Sequence, residues 1–117
     1  MLQGDFGSDM LNGGIGNDTL TGGFGYDVFM FSGPLTLGNI GTDTILDFEK
    51  GRDVIDLSGI TAAIGGGPDP VVGIASLQLT DIVGGVKVAF ASAPTIFINV
   101  KGIGVSAATM ADTDFIF

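Results

Sequence analysis

The 117 residues carry four basic side chains against thirteen acidic ones, a formal charge of −9, with no cysteine and no histidine. That excludes disulfides, thiolate or imidazole metal sites and Ser-His or Cys-His nucleophilic pairs. A surface so poor in lysine and arginine also makes nucleic acid and anionic membranes poor partners.

Hydrophobic residues make up 45% of the chain, too many for a disordered acidic segment. No uninterrupted apolar run reaches the ~18–20 residues of a membrane helix, so a soluble globular domain is expected. The first residues, "MLQGDFG", have neither the basic region nor the apolar core of a secretory signal peptide.

In chain order, the first element is a repeat. Gly4-Asp5-Phe6-Gly7-Ser8-Asp9-Met10-Leu11 is followed on a nine-residue clock by Gly13-Gly14-Ile15-Gly16-Asn17-Asp18-Thr19-Leu20, and then by Gly22-Gly23-Phe24-Gly25-Tyr26-Asp27-Val28-Phe29. Leu2 falls on the same clock, so the chain is expected to begin inside an array cut from a longer protein. Each unit joins a six-residue glycine-rich turn to a polar–apolar–polar strand with one buried face. Two units make one eighteen-residue coil of a parallel roll. Turns then stack two repeats apart, with Asp9 over Asp27 on one edge and Asp18 on the other.

Stacked carboxylates about 5 Å apart repel by about 3 kcal/mol at an effective dielectric near 20. A divalent cation between the turns reverses that sign. Aspartate oxygens and glycine carbonyls form an all-oxygen cage, which suits calcium better than the tighter octahedron of magnesium.

The unit G-G-x-G-x-D-x-apolar-x resembles the repeat of the RTX (repeats-in-toxin) proteins, a known calcium-binding nonapeptide. The resemblance implies that each ion takes two carbonyls and the Asp of one turn, closed by two carbonyls and the Asp of the turn two repeats later. The first site would combine the Asp5 and Gly7 carbonyls and Asp9 with the Gly22 and Phe24 carbonyls and Asp27. Gly14, Gly16 and Asp18 would start a second site on the opposite edge. Its partner comes out of phase, in Gly38-Asn39-Ile40-Gly41-Thr42-Asp43, so "FSGPLTLG" must bulge or bend the coil; Gly38, Ile40 and Asp43 complete the set. "DTILDFEKGRDVIDLSGI", residues 43–60, is similar to the segment that follows the repeats in secreted RTX proteins. Asp47 and Asp53 would close a terminal site with Gly23, Gly25 and Asp27. Asp56 is expected as a turn or cap residue, and Asp69 as a loop charge.

Residues 61–70, "TAAIGGGPDP", read as a loop or linker. "ASLQLTDIVGGVKVAFA" reads as a hairpin joined by Gly84-Gly85 in a tight primed turn. "TIFINV" adds a strand, residues 106–112 at most a helical turn, and Asp114-Phe115-Ile116-Phe117 a final strand. That acidic-plus-apolar end is also similar to the termini of bacterial RTX proteases, lipases and alginate epimerases exported by type I secretion.

The expected fold is therefore all-β: a parallel β-roll over residues 1–60, capped by an antiparallel β region over residues 61–117 that carries the export signal. By resemblance, the chain would be a non-catalytic, extracellular bacterial module binding two to four Ca2+ ions, engaging type I secretion machinery and folding once outside the cell. The carboxylates left over from the repeats show no acid–base pairing. A polysaccharide-binding accessory role is the alternative, and it requires Lys87, Lys101 and Arg52 to converge on one face.

Overall fold

The nine-residue clock folds as a winding of very short strands. The structure is a computed structural model, and it describes residues 2–35, 40–61, 73–102 and 104–117. Among the described residues ten strands run in chain order: β1 (Leu2–Gln3), β2 (Met10–Asn12), β3 (Thr19–Thr21), β4 (Val28–Pro34), β5 (Thr42–Ile45), β6 (Val54–Thr61), β7 (Leu77–Ile82), β8 (Gly85–Phe90), β9 (Ala93–Lys101) and β10 (Phe115–Ile116). The helical elements among the described residues are two single 3-10 turns, Ile74–Ser76 and Asp112–Asp114.

Two sheets face each other. The six-stranded sheet has the order β1-β3-β5-β9-β8-β7, and the four-stranded sheet has the order β10-β6-β4-β2. Successive strands of the roll alternate between them. In one sheet Leu2 pairs with Leu20, and Leu20 with Ile45; in the other Leu11 pairs with Phe29, and Phe29 with Ile55. All pairs of the roll are parallel, so each clock position stacks on its own kind.

The central residue of each three-residue strand points between the sheets. Leu11, Leu20, Phe29, Ile45 and Ile55 are all buried and join one continuous core with Val86, Val88, Phe90, Ile98 and Val100 of the C-terminal half. Full burial of each such side chain is worth about 1.5–3 kcal/mol, which offsets the ordering entropy of the glycine turns. The bend expected in "FSGPLTLG" begins as a register shift in β4 between Met30 and Ser32. Residues 36–39, with the expected ligand Gly38, lie outside the described residues, as do residues 62–72 with Asp69.

The C-terminal half caps the roll in two ways. β9 pairs in parallel with β5, and β8 and β7 follow antiparallel, extending the six-stranded sheet. β10 adds in parallel to β6, so the terminal "DFIF" supplies a strand and Phe115 is buried. Lys50 Nζ holds this end in place through Asp114 Oδ2 at 2.6 Å and the Thr109 carbonyl at 2.7 Å.

The expected hairpin is present, but its turn is Val83-Gly84, one residue earlier than Gly84-Gly85. Ile82 pairs with Gly85, and Val83 is not among the residues with positive φ, so the turn is not of a primed type. The shift has a packing cause. Gly85 lies against the backbone of Val100 and Lys101, where a Cβ would collide with the Val100 carbonyl. The helical turn expected at 106–112 is present, with the Ser106 carbonyl accepting the Thr109 and Met110 amides, both at 3.1 Å, and the 3-10 turn Asp112–Asp114 follows it.

Candidate metal centre

Three turns stack on the edge where the chain passes from the six-stranded to the four-stranded sheet: residues 4–9, 22–27 and 46–53. On the other edge residues 13–18 form a turn, and Gly41 lies against Gly16 and Asn17 of it. Glycine enters because the turns approach at backbone distance. A Cβ on Gly23 would strike the Asp5 carbonyl, and one on Gly25 the Gly7 carbonyl; both glycines have positive φ, 84° and 110°. Asp5 occupies the position of Gly14 and Gly23 in its own repeat. It adopts the same left-handed conformation at φ 70°, which aspartate tolerates better than most residues.

The aspartates form two ladders. The Asp9 amide donates to Asp27 Oδ1 at 2.9 Å, the Asp27 amide to Asp53 Oδ1 at 3.0 Å, and the Asp18 amide to Asp43 Oδ1 at 2.7 Å. The expected vertical register is thus realised by backbone donors. Asp27, Asp43 and Asp53 are each 2% exposed or less.

One oxygen of each upper carboxylate is left over. Asp9 Oδ2, Asp18 Oδ2 and Asp27 Oδ2 are buried and have no hydrogen-bond partner. Each points at the first glycine of its own turn. A Cβ on Gly4 would lie 2.6 Å from Asp9 Oδ2 and 2.7 Å from the Gly22 carbonyl oxygen, and a Cβ on Gly13 would lie 2.8 Å from Asp18 Oδ2. Carboxylate and carbonyl oxygens thus converge on space that only glycine leaves open. The lysines and arginines do not neutralise it. The ion pairs among the described residues join Lys50 to Asp114 and Arg52 to Glu49.

Burial raises the carboxyl of Asp43 to about 6, and it does the same for Asp53. It also raises that of Asp27, where the charge of Asp9 adds to the effect. Buried, unneutralised carboxylates beside oriented carbonyls are the donor set of a hard divalent cation. Among the described residues no three acidic side chains gather round one point, as expected where carbonyls supply half the ligands. Of the residues expected in the first site, Asp9 Oδ2 and the Gly22 carbonyl meet beside Gly4 and Asp27 Oδ2 lies beside Gly22, whereas the Asp5 carbonyl accepts the Phe24 amide at 3.1 Å and the Gly7 carbonyl lies against Gly25. On the second edge Gly16, Asp18, Ile40 and Asp43 lie in adjacent turns, with the Gly16 carbonyl against Gly41.

Sequence reasoning passed over two contributors. Asn17 Oδ1 accepts the Thr42 amide at 2.7 Å and adds a rung to the second edge. Its counterparts in the other repeats are Ser8 and Tyr26, so the repeat carries no signal for it. The Lys50 to Asp114 pair spans 64 positions and has no local signature. Asp56 lies in β6, where its Oδ1 accepts from the Ser58 amide and hydroxyl. The tips of the first edge carry Phe6 and Phe24 stacked with centroids 5.4 Å apart. Arg52 sits over the Tyr26 ring at 5.9 Å.

Residues 9–72 match the family model described as peptidase M10 serralysin C terminal. The solved structure of the AlgE6R3 subunit of the Azotobacter vinelandii mannuronan C5-epimerase is similar over 99% of this chain and 66% of that one, at 30% identity and a TM-score of 0.64. The C-terminal domain (RV) of MpAFP is similar over 87% of this chain and 76% of that one, at 30% identity and a TM-score of 0.54. No curated protein matches the chain. With its stacked nonapeptide turns and paired sheets, the chain belongs to the peptidase M10 serralysin C-terminal family and is an RTX-type β-roll.

Proposed function

We propose that the chain is a calcium-binding RTX module whose ion-dependent folding supports the export and stability of a larger extracellular protein. The observation that carries this reading is the set of buried, partnerless oxygens on Asp9, Asp18 and Asp27. A buried unpaired carboxylate oxygen is strongly unfavourable, and calcium removes that penalty on both edges. Asp5, Gly7, Asp9, Gly22, Phe24 and Asp27 would hold one ion, and Gly14, Gly16, Gly38, Ile40, Asp18 and Asp43 another. Bound calcium supplies positive charge between stacked turns.

Extracellular calcium modules work at about 10⁻⁴–10⁻³ M, far above cytosolic calcium. Linkage then favours an unfolded, exportable chain inside the cell and a closed roll outside. The module is accessory, and the family match to a C-terminal region of proteases supports that role. Thermal melts with and without chelator test the reading: calcium should raise the melting temperature, and an unchanged melt would remove it.

A second reading is favoured by the outer face of the six-stranded sheet. Thr19, Thr44, Asn99, Lys87 and Thr80 lie in register across five strands, and Lys101 stands diagonally from Lys87. Lys87 Nζ sits 5.0 Å from the Phe97 ring centroid. Arg52 lies away from this face, on the first edge, so the three cations do not converge as this reading required and only Lys87 and Lys101 share the face. Hydroxyls, an amide, two lysines and an aromatic on one flat surface could engage an anionic polysaccharide. The similarity to a mannuronan epimerase subunit supports this.

A further inference from the structure

The junction between turns 22–27 and 46–53 uses its carboxylates differently from the junctions above it. Asp47 Oδ1 accepts the Gly22 amide and Asp47 Oδ2 the Gly23 amide, both at 2.8 Å. Asp53 Oδ1 accepts the Asp27 amide at 3.0 Å, and Asp53 Oδ2 the Glu49 amide at 2.8 Å. All four oxygens have backbone donors, whereas Asp9, Asp18 and Asp27 each keep one oxygen with none. The sequence differs here too. "LDFEKGRD" gives this turn eight residues and lacks the paired glycines of the repeat.

We infer that this junction closes on backbone amides instead of a metal ion, and that Asp47 is a positioning residue for the calcium site one level above. The inference rests on the calcium reading of the first site. The geometry runs through a single peptide group. In a trans peptide the N–H and C=O point in opposite directions. Drawing the Gly23 N–H onto Asp47 therefore turns the Gly22 carbonyl the other way, toward the turn at 4–9. There its oxygen and Asp9 Oδ2 converge beside Gly4. Asp53 holds the Asp27 amide in the same manner, which fixes the residue whose carboxylate the first site uses. The terminal turn is a template that presets half of the first site without taking an ion itself. This departs from the ligand role the resemblance implied for Asp47 and Asp53.

Two measurements test it. Anomalous scattering from crystals of the unaltered chain grown with calcium should show ions beside Asp9 and Asp27 and beside Asp18 and Asp43. An ion within about 2.3–2.6 Å of an Asp47 or Asp53 oxygen would overturn the inference. Crystals with no ion at either edge would overturn the calcium reading, and this inference with it. In solution, Asp47→Asn should keep the ion count seen by native mass spectrometry and weaken the first site about tenfold, the effect of losing a charge-assisted bond. A count lower by one would make Asp47 a ligand and end the inference. Should that variant fail to fold, the crystal of the unaltered chain decides alone.

Discussion

Asp27 accepts the Asp9 amide with one carboxylate oxygen at 2.9 Å and keeps its other oxygen buried with no partner. Half of this side chain therefore joins the turns through the backbone, and the other half is the oxygen proposed to meet a cation. The two functions can be separated by substitution. Asp18→Ala should weaken calcium binding on the second edge by at least about tenfold and leave the site of Asp9 and Asp27 unchanged. Calorimetric titration would resolve the two classes, and equal loss at both would show the pairing to be wrong.

A glycine prediction isolates the turn geometry. Gly25 has φ 110°, and its Cβ position is taken by the Gly7 carbonyl. Gly25→Ala should destabilise the calcium-loaded roll by about 2–3 kcal/mol, combining backbone strain with the loss of close stacking. Gly51 also has positive φ, 85°, but open space around it. Gly51→Ala should cost about 1 kcal/mol. Denaturant melts of the two variants compare them directly, and equal costs would contradict the stacking.

The pH response should change sign with calcium. Burial raises Asp43 and Asp53 from 3.8 to about 6 and shifts Asp27 the same way. A carboxyl raised in the folded chain binds its proton more tightly there. Its contribution to stability is fully present below the unfolded value and is lost as pH rises through about 6. Chelator-treated protein should therefore keep more β structure near pH 5 than near pH 7.5. With calcium the order should reverse, because ligation by Asp27 and Asp43 needs their deprotonated forms. The same slope in both conditions would contradict the assignment.

The cap has its own test. Asp114 is 3% exposed and pairs with Lys50 at 2.6 Å. Lys50→Met leaves that carboxylate buried with only the Ala111 amide, and should lower stability by about 2–4 kcal/mol. β10 should then lose amide protection before the repeats do. Uniform loss across the chain would show that the cap does not unfold separately.

Much of the roll was legible because its information is local and periodic. Leu11, Leu20 and Phe29 sit on the clock that stacks them, and Asp9, Asp18 and Asp27 sit where one face of each turn must carry charge. The terminal turn was less legible. Asp47 and Asp53 have the residue type of ligands, but three of their four carboxylate oxygens accept amides of a turn 24–26 positions earlier. Nothing local specifies that. Lys50 finding Asp114, and Gly85 moving the hairpin turn to Val83, were hidden for the same reason. Each depends on which backbone arrives from far along the chain.

Far-UV circular dichroism during a calcium titration of the chelated chain is the most direct measurement of the account. Stacked turns held apart by their own charge should give a weak β signal that rises cooperatively to a plateau at about 10⁻⁴–10⁻³ M calcium, with magnesium unable to replace it. A full β spectrum in chelator, unmoved by added calcium, would mean that the roll closes without an ion on its edges.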